Sequence, residues 1–449
     1  MTKTVHPMES ANIPALLLKK SAPMFFSLLT HNLYNFVDSV FVSYVSEAAL
    51  TALSMAAPVQ ALIGAMGCGI AVGLNAVISR AMGEKDEQKV RQTASAAIWL
   101  AIGAWLVVAF IGIVAVRPYF AWQAGGNEEI MREGIIYLRI CLLCSLGTFG
   151  QWVYDRFLIA TGKSSCFLFT LSVASCVNLI LDPILIFGWL GLPAMGAAGA
   201  AIATVIGQFC GAAAGIVVNE KKNPEIHARF RLRVPLQSVV AILKVGIPTS
   251  LMQAAVACTG ILMNTILQVF STTAVAVMGI CSRLQGLAIL PIHSVTNAMI
   301  PIVAYNYGAS RRDRIEQSIR WAYLYSLASM AAVVLGIELF PRQLMKIFDA
   351  SDLLMEMGVT AIRIMAVSFG LQAFGNVATA VFQALGRGNE GLVLTLARQV
   401  VLPLGLAYAF SMMGRVNWVW YAFVLAEAAA VPLVMALHRR VRKHTIDRL

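Results

Sequence analysis

SAPMFFSLLTHNLYNFVDSVFVSYV, residues 21–45, carries a single fixed charge, Asp38. About 20 consecutive apolar residues cross the hydrocarbon core of a bilayer, so this stretch predicts a membrane-spanning helix. A carboxylate inside such a helix costs a few kcal/mol or more. A chain keeps it there when it pairs, binds an ion or moves a proton.

The rest of the chain has the same character. Of 449 residues, 59% are apolar and 12% charged, about half the charge of an ordinary soluble domain. Mean hydropathy is +0.76. The net charge of +12 gathers in short runs that abut apolar segments, at 83–92, 220–233, 309–320 and 438–444. That is the pattern of cytoplasmic loops, and no nucleic-acid motif accompanies it. Eight cysteines all fall in apolar segments. Cys141 and Cys144 form a CxxC with no second pair or histidine nearby, which reads as small buried hydrophobes.

Apolar runs set against breakers predict twelve spans, roughly at 14–45, 51–80, 91–117, 131–161, 165–188, 196–219, 238–268, 274–305, 315–340, 353–385, 391–413 and 417–437. The loops after odd-numbered spans hold few basic residues (Arg117, Arg132, Arg342, Lys346, Arg415), so both termini are expected in the cytoplasm. The fold class is therefore an all-α polytopic membrane protein, expected in the plasma or inner membrane.

The chain also repeats. At an offset of 225, Pro23 meets Pro248, Gln60 meets Gln285 and Gly83 meets Gly308; at 224, Arg139 meets Arg363 and Gly162 meets Gly386. Six spans per half give both halves the same orientation. The expectation is two pseudo-symmetric six-helix lobes, 1–219 and 238–449 with its basic tail, joined by a cytoplasmic linker, 220–237.

Three acids lie at depth: Asp38, Asp182 and Glu427. Helix rise puts Asp38 roughly 13 Å, Asp182 roughly 9 Å and Thr204 roughly 12 Å below the outer surface of the first lobe. Asn178 and Asp182, four apart, share a helix face. Tyr34 and Asn35 stand one turn before Asp38. Pro183 cannot donate a backbone hydrogen bond, which frees the Leu179 carbonyl. Two carboxylates, an amide, a hydroxyl and a loose carbonyl suit a hard monovalent cation, H+ or Na+. The same groups could instead hydrogen-bond merely to hold the lobe together; the lack of Lys or Arg at their depth favours the ion. In the second lobe, an intramembrane pair of Arg398 and Glu427 would account for both residues, as a fixed ion pair or as a contact for substrate or proton. His31 and His293 read as packing residues or proton relays. The abundant Met and Phe read as lipid-facing or core residues, or as the lining of a plastic cavity. No nucleotide-binding loop, Ser-His-Asp set or HExxH is present, so neither an enzyme nor a cofactor is expected.

These features resemble the multidrug and toxic compound extrusion (MATE) family, in the branch of its staphylococcal exporters. The resemblance covers nearly the whole chain. It rests on Pro23 with LYNFVDSVFV (33–42), NLILDP (178–183), GAAGAAIAT (196–204), AMG (81–83), NYG (306–308), TGK (161–163), LGR (385–387), LARQV (396–400) and AE (426–427). It implies an antiporter that expels amphipathic or cationic small molecules against H+ or Na+. It also implies a cation site at Asp38, Asn178, Asp182 and Thr204, and helix bending at Pro23. Another branch carries acids in spans 7 and 10; here those regions hold Ala255 and Asn376, which shifts weight to the first lobe. A monomer in contact with lipid is expected. The alternative is a lipid-linked precursor flippase of the same architecture, which would need a strongly cationic cavity.

Overall fold

The computed structural model describes residues 7–226, 234–348, 352–414 and 416–449. Arg229, Arg231 and Arg233 of the predicted linker, and Arg415, lie outside the described residues. Helices dominate. In order they are α1 (Pro7–Ser10), α2 (Ile13–Ser43), α3 (Glu47–Gly83), α4 (Glu87–Val114), α5 (Val116–Gln123), α6 (Glu128–Leu143), α7 (Leu146–Ala160), α8 (Ser164–Phe187) and α9 (Ala197–Lys222). Then come α10 (Leu236–Gln268), α11 (Thr272–Ala288), α12 (Leu290–Gly308), α13 (Arg312–Leu339), α14 (Pro341–Lys346), α15 (Asp352–Ala384), α16 (Gly388–Leu396), α17 (Leu402–Ser411) and α18 (Val416–Val441).

Among the described residues, nine helical segments are long and apolar enough to cross a membrane, and ten if the bent pair α11–α12 counts as one. The two other predicted spans are α2 and the pair α6–α7. Helices α6 and α7 have 16 and 15 residues, each too short to cross alone. Their break falls at Cys144–Ser145, where the Ser145 hydroxyl donates to the Leu142 carbonyl at 2.8 Å and competes with the helix ladder. The Trp105 indole donates to the Leu143 carbonyl at 2.8 Å, so that carbonyl too is satisfied. The 41° bend between α11 and α12 has a different cause: Pro291, in the first turn of α12, cannot donate to the Leu287 carbonyl.

The internal repeat extends to local geometry. Ser46 caps α3 by accepting from the Ala49 amide at 3.0 Å, and Ser271 caps α11 by accepting from Ala274 at 3.0 Å. Lys85 and Ser310 both adopt left-handed backbone, with φ of 58° and 54°. The loop around Lys85 is laced with ion pairs. Burial pushes the Glu84 carboxyl up, but hydrogen bonds from Lys89 (2.7 Å) and Arg80 (2.8 Å) outweigh it and hold the group below its ordinary value.

By contacts the chain divides into two compact units, Phe26–Ser250 and Met1–Phe25 with Leu251–Leu449. The divisions fall inside α2 and α10, within three residues of Pro23 and Pro248, rather than in the 220–237 linker. In the first unit α9 packs on α6, α7 and α8, and α3 on α4, α6 and α7. In the second, α15 packs on α11, α12, α13 and α18. The N-terminal segment belongs to this second unit: Arg314 donates to the carbonyls of Met8 (3.1 Å) and Ala11 (2.8 Å), and Met8 is buried.

Candidate functional site

The first unit owes its polar interior to α9. Glycines at 207, 211 and 215 form a stripe that lets α7 and α8 approach. A Cβ on Gly207 would meet the Ala174 carbonyl at 2.7 Å and the Asn178 Cβ at 3.1 Å; one on Gly211 would meet the Gln151 amide at 2.8 Å. The space left by the missing side chains is filled by polar groups from the neighbouring helices.

Three predicted residues meet there directly. The Asn178 amide donates to Asp182 Oδ1 at 3.2 Å and to Thr204 Oγ1 at 3.4 Å. Asp182 and Asn178 are buried, at 0% and 3% exposure, yet Asp182 Oδ2 and Asn178 Oδ1 have no hydrogen-bond partner among the described residues. Asp38 Oδ1 is likewise buried and without a partner. Buried polar atoms are normally satisfied, so three acceptor oxygens without a partner among the described residues set this region apart. The carboxylates of Asp38 and Asp182 lie within electrostatic range of each other and of Tyr34.

Asp38, Tyr34, His31 and Thr204 line one cavity of this unit, together with Gln60, Tyr137 and Cys141. No Lys or Arg is among the described residues lining it. Asn178 faces an adjoining cavity that shares His31, Tyr34 and Thr204. Asp38 and Tyr34 thus join the Asn178–Asp182–Thr204 cluster through shared cavity walls. His31 stacks edge-on against Tyr34, with ring centroids 5.0 Å apart. Pro23 lies on the same helix as Asp38 but in the other contact unit.

The second unit is built differently at the matching place. Arg398 donates to Glu427 at 3.0 and 3.2 Å, and also to Asn376 Oδ1 at 3.3 Å. Arg398 and Glu427 are only 2% and 6% exposed. Arg398 sits in a π-helical turn, Ala397–Val401. Pro403 cannot donate to the Gln399 carbonyl, which loosens that turn. The pair lines a cavity with His293, Gln285, Gln372, Met263 and Phe423. Gly375 lies under the guanidinium: a Cβ there would stand 2.6 Å from Arg398 Cδ and Cζ. Gly375→Ala is therefore expected to lower stability by about 1–3 kcal/mol, read as a drop in melting temperature in detergent.

One acid escaped the sequence reading. Asp155, not among the three acids read at depth, is buried in α7, and the Thr170 hydroxyl donates to its Oδ1 at 2.6 Å. It lines the same cavity as Asn178, next to Arg156. Its position inside the predicted span 131–161 was the available signal.

The MatE family model matches the chain twice, at residues 23–184 and 248–409, the spacing of the internal repeat. The chain belongs to the MatE family. It is a multi-pass membrane protein and not an enzyme. It is 24% identical over 430 residues to the multidrug export protein MepA of Staphylococcus aureus strain MRSA252, covering 95% of this chain and 94% of the relative. To the MepA of Staphylococcus haemolyticus strain JCSC1435 it is 26% identical over 446 residues, covering 98% and 96%. A solved outward-facing multidrug resistance MATE transporter of the MOP superfamily superposes with a TM-score of 0.93 over 100% of both chains at 24% identity. That likeness concerns the fold. Within this MatE chain the two matched halves share a scaffold but not a site: the repeat counterpart of Asp38 is Met263.

Proposed function

We propose that this MatE-family chain is a secondary active multidrug exporter, an antiporter that exchanges amphipathic or cationic small molecules for H+ or Na+. One observation carries the reading: Asp38, with a buried oxygen that has no hydrogen-bond partner among the described residues, lines a cavity whose described lining holds no Lys or Arg, and the buried Asp182, bonded to Asn178, keeps a second such oxygen in the same unit. Asn178, Thr204 and Tyr34 complete the oxygen set around them. Two like charges close together in a poorly solvated site are costly, and one bound cation relieves both the repulsion and the desolvation. Cation binding then stabilises whichever conformation buries the site, and substrate the other. Coupling requires that difference, because a ligand with equal affinity for both states shifts nothing.

The sidedness follows from the basic loops: both termini cytoplasmic, with the cation entering from outside. A single chain holds both halves and works as a monomer in the lipid. The names of the MepA relatives support export of drugs. The flippase alternative needs a strongly cationic cavity, and the described cavities give it little support. Arg283 and Arg363 are exposed, and the basic residues lining the described cavities are Arg156 and Arg398.

The test is efflux of a fluorescent cationic dye from proteoliposomes with pH and Na+ gradients imposed separately. One gradient is expected to drive dye movement and the other to leave it at the background rate. Equal transport with no gradient would overturn the reading.

A further inference from the structure

We propose that Asp155 is a second cation station, through which H+ or Na+ leaves the Asp38–Asp182 site along the interior of the first unit. The inference rests on the coupled-antiport reading above and extends it.

Continuity of space is the first ground. The cavity that holds Asp38 and the cavity that holds Asn178 share six lining residues: His31, Tyr34, Thr148, Trp152, Thr204 and Gln208. The second cavity continues past Asn178 along α8 through Ala174 and Leu171 to Phe167, and takes in Gln151, Asp155 and Arg156 of α7. From Asn178 to Phe167 that is roughly 16 Å of helix.

A column of polar groups follows the same course. Asp182, Asn178, Gln151 and Asp155 are all buried. Thr148 and Gln208 hydrogen-bond to each other on the wall between. The glycine stripe of α9 borders the column: Gly207 lies against Asn178, Gly211 against Gln151, and a Cβ on Gly215 would stand 4.0 Å from Asp155 Oδ1. Asp155 lies five residues before the end of α7, roughly 7 Å from the turn that carries Lys163. In the proposed orientation this is the cytoplasmic end.

Charge gives the direction. The described residues around Asp38 include no Lys or Arg, whereas Arg156 lines the cavity beside Asp155. A guanidinium repels a bound cation, so the Asp38 end suits uptake and the Asp155 end release. The repeat counterparts of Asp155 and Arg156 are Thr379 and Ala380, so the column belongs to the first half alone, like Asp38 itself.

The experiment compares gradient-driven dye efflux with dye–dye exchange at equal pH and Na+ on both sides, in proteoliposomes of Asp155→Asn, Asp155→Glu and Asp38→Asn. Exchange moves substrate without net cation flow. Asp155→Asn is expected to slow gradient-driven efflux about tenfold, under whichever of the two gradients drives the unmodified protein, and to leave exchange within about twofold. Asp155→Glu restores the gradient-driven rate. Should Asp155→Asn fail to fold, Thr170→Val keeps the carboxylate and removes its donor; a smaller loss of gradient-driven efflux with intact exchange is then expected. Wild-type gradient-driven efflux in Asp155→Asn, or in Thr170→Val where that variant stands in, overturns the proposal. So does a parallel loss of exchange. If the unmodified protein moves dye equally without a gradient, the antiport reading itself fails; if Asp38→Asn still couples, Asp38 is not the coupling site; if Asp38→Asn uncouples and Asp155→Asn does not, only the second station fails.

Discussion

Asp38→Asn lowers gradient-driven efflux by about 5- to 150-fold, the span of one to three kcal/mol of coupling free energy, and does not lower the melting temperature. The two halves of this expectation belong together. Asparagine keeps the size and one oxygen of the side chain and removes the charge. The Asp38 carboxylate has no ion partner among the described residues, and its Oδ1 is buried without a hydrogen bond. Neutralising an unpaired buried charge removes a desolvation penalty, so the fold loses nothing. What is lost is the group whose charge a cation would cancel. Liposome efflux and thermal unfolding of the same preparation check it. A variant that transports at the wild-type rate, or one that unfolds as it loses transport, excludes the coupling role.

Glu427→Ala or Arg398→Leu, made singly, costs about 3–5 kcal/mol of stability, while Arg398→Met with Glu427→Leu recovers most of it. The partners are 2% and 6% exposed and 3.0 Å apart. Removing either leaves a charge in a site that water reaches poorly, whereas removing both leaves apolar groups of similar volume. Unfolding midpoints in a fixed detergent measure the difference, and the double-mutant cycle gives the coupling energy. Singles that match the wild type would mean that the pair is solvated and available to substrate. The π-helical turn and Gly375 argue the other way, because both hold the guanidinium in one place.

The legibility of this chain follows from where each signal resides. Asn178 and Asp182 are four residues apart on one helix, so their proximity is dictated by helix geometry and was readable. Thr204 could be placed only by depth; its hydrogen bond to Asn178 depends on how closely α9 lies against α8. Asp155 was missed because a carboxylate six residues from a predicted span end looks solvated. It is buried because α9 offers glycine opposite α7, a fact about a helix some sixty residues further on.

Spans, repeat and the location of isolated charges are properties of local composition, since a bilayer selects each apolar run on its own free energy of transfer. The sequence by itself therefore determined the helical class, the two halves and the special standing of Asp38. Packing decided what those charges face: which helix contributes the glycines, where α6–α7 and α11–α12 break, and that contact units change near Pro23 and Pro248 rather than in the linker. Those outcomes depend on side-chain volumes meeting across helices far apart in the chain, and no single segment encodes them.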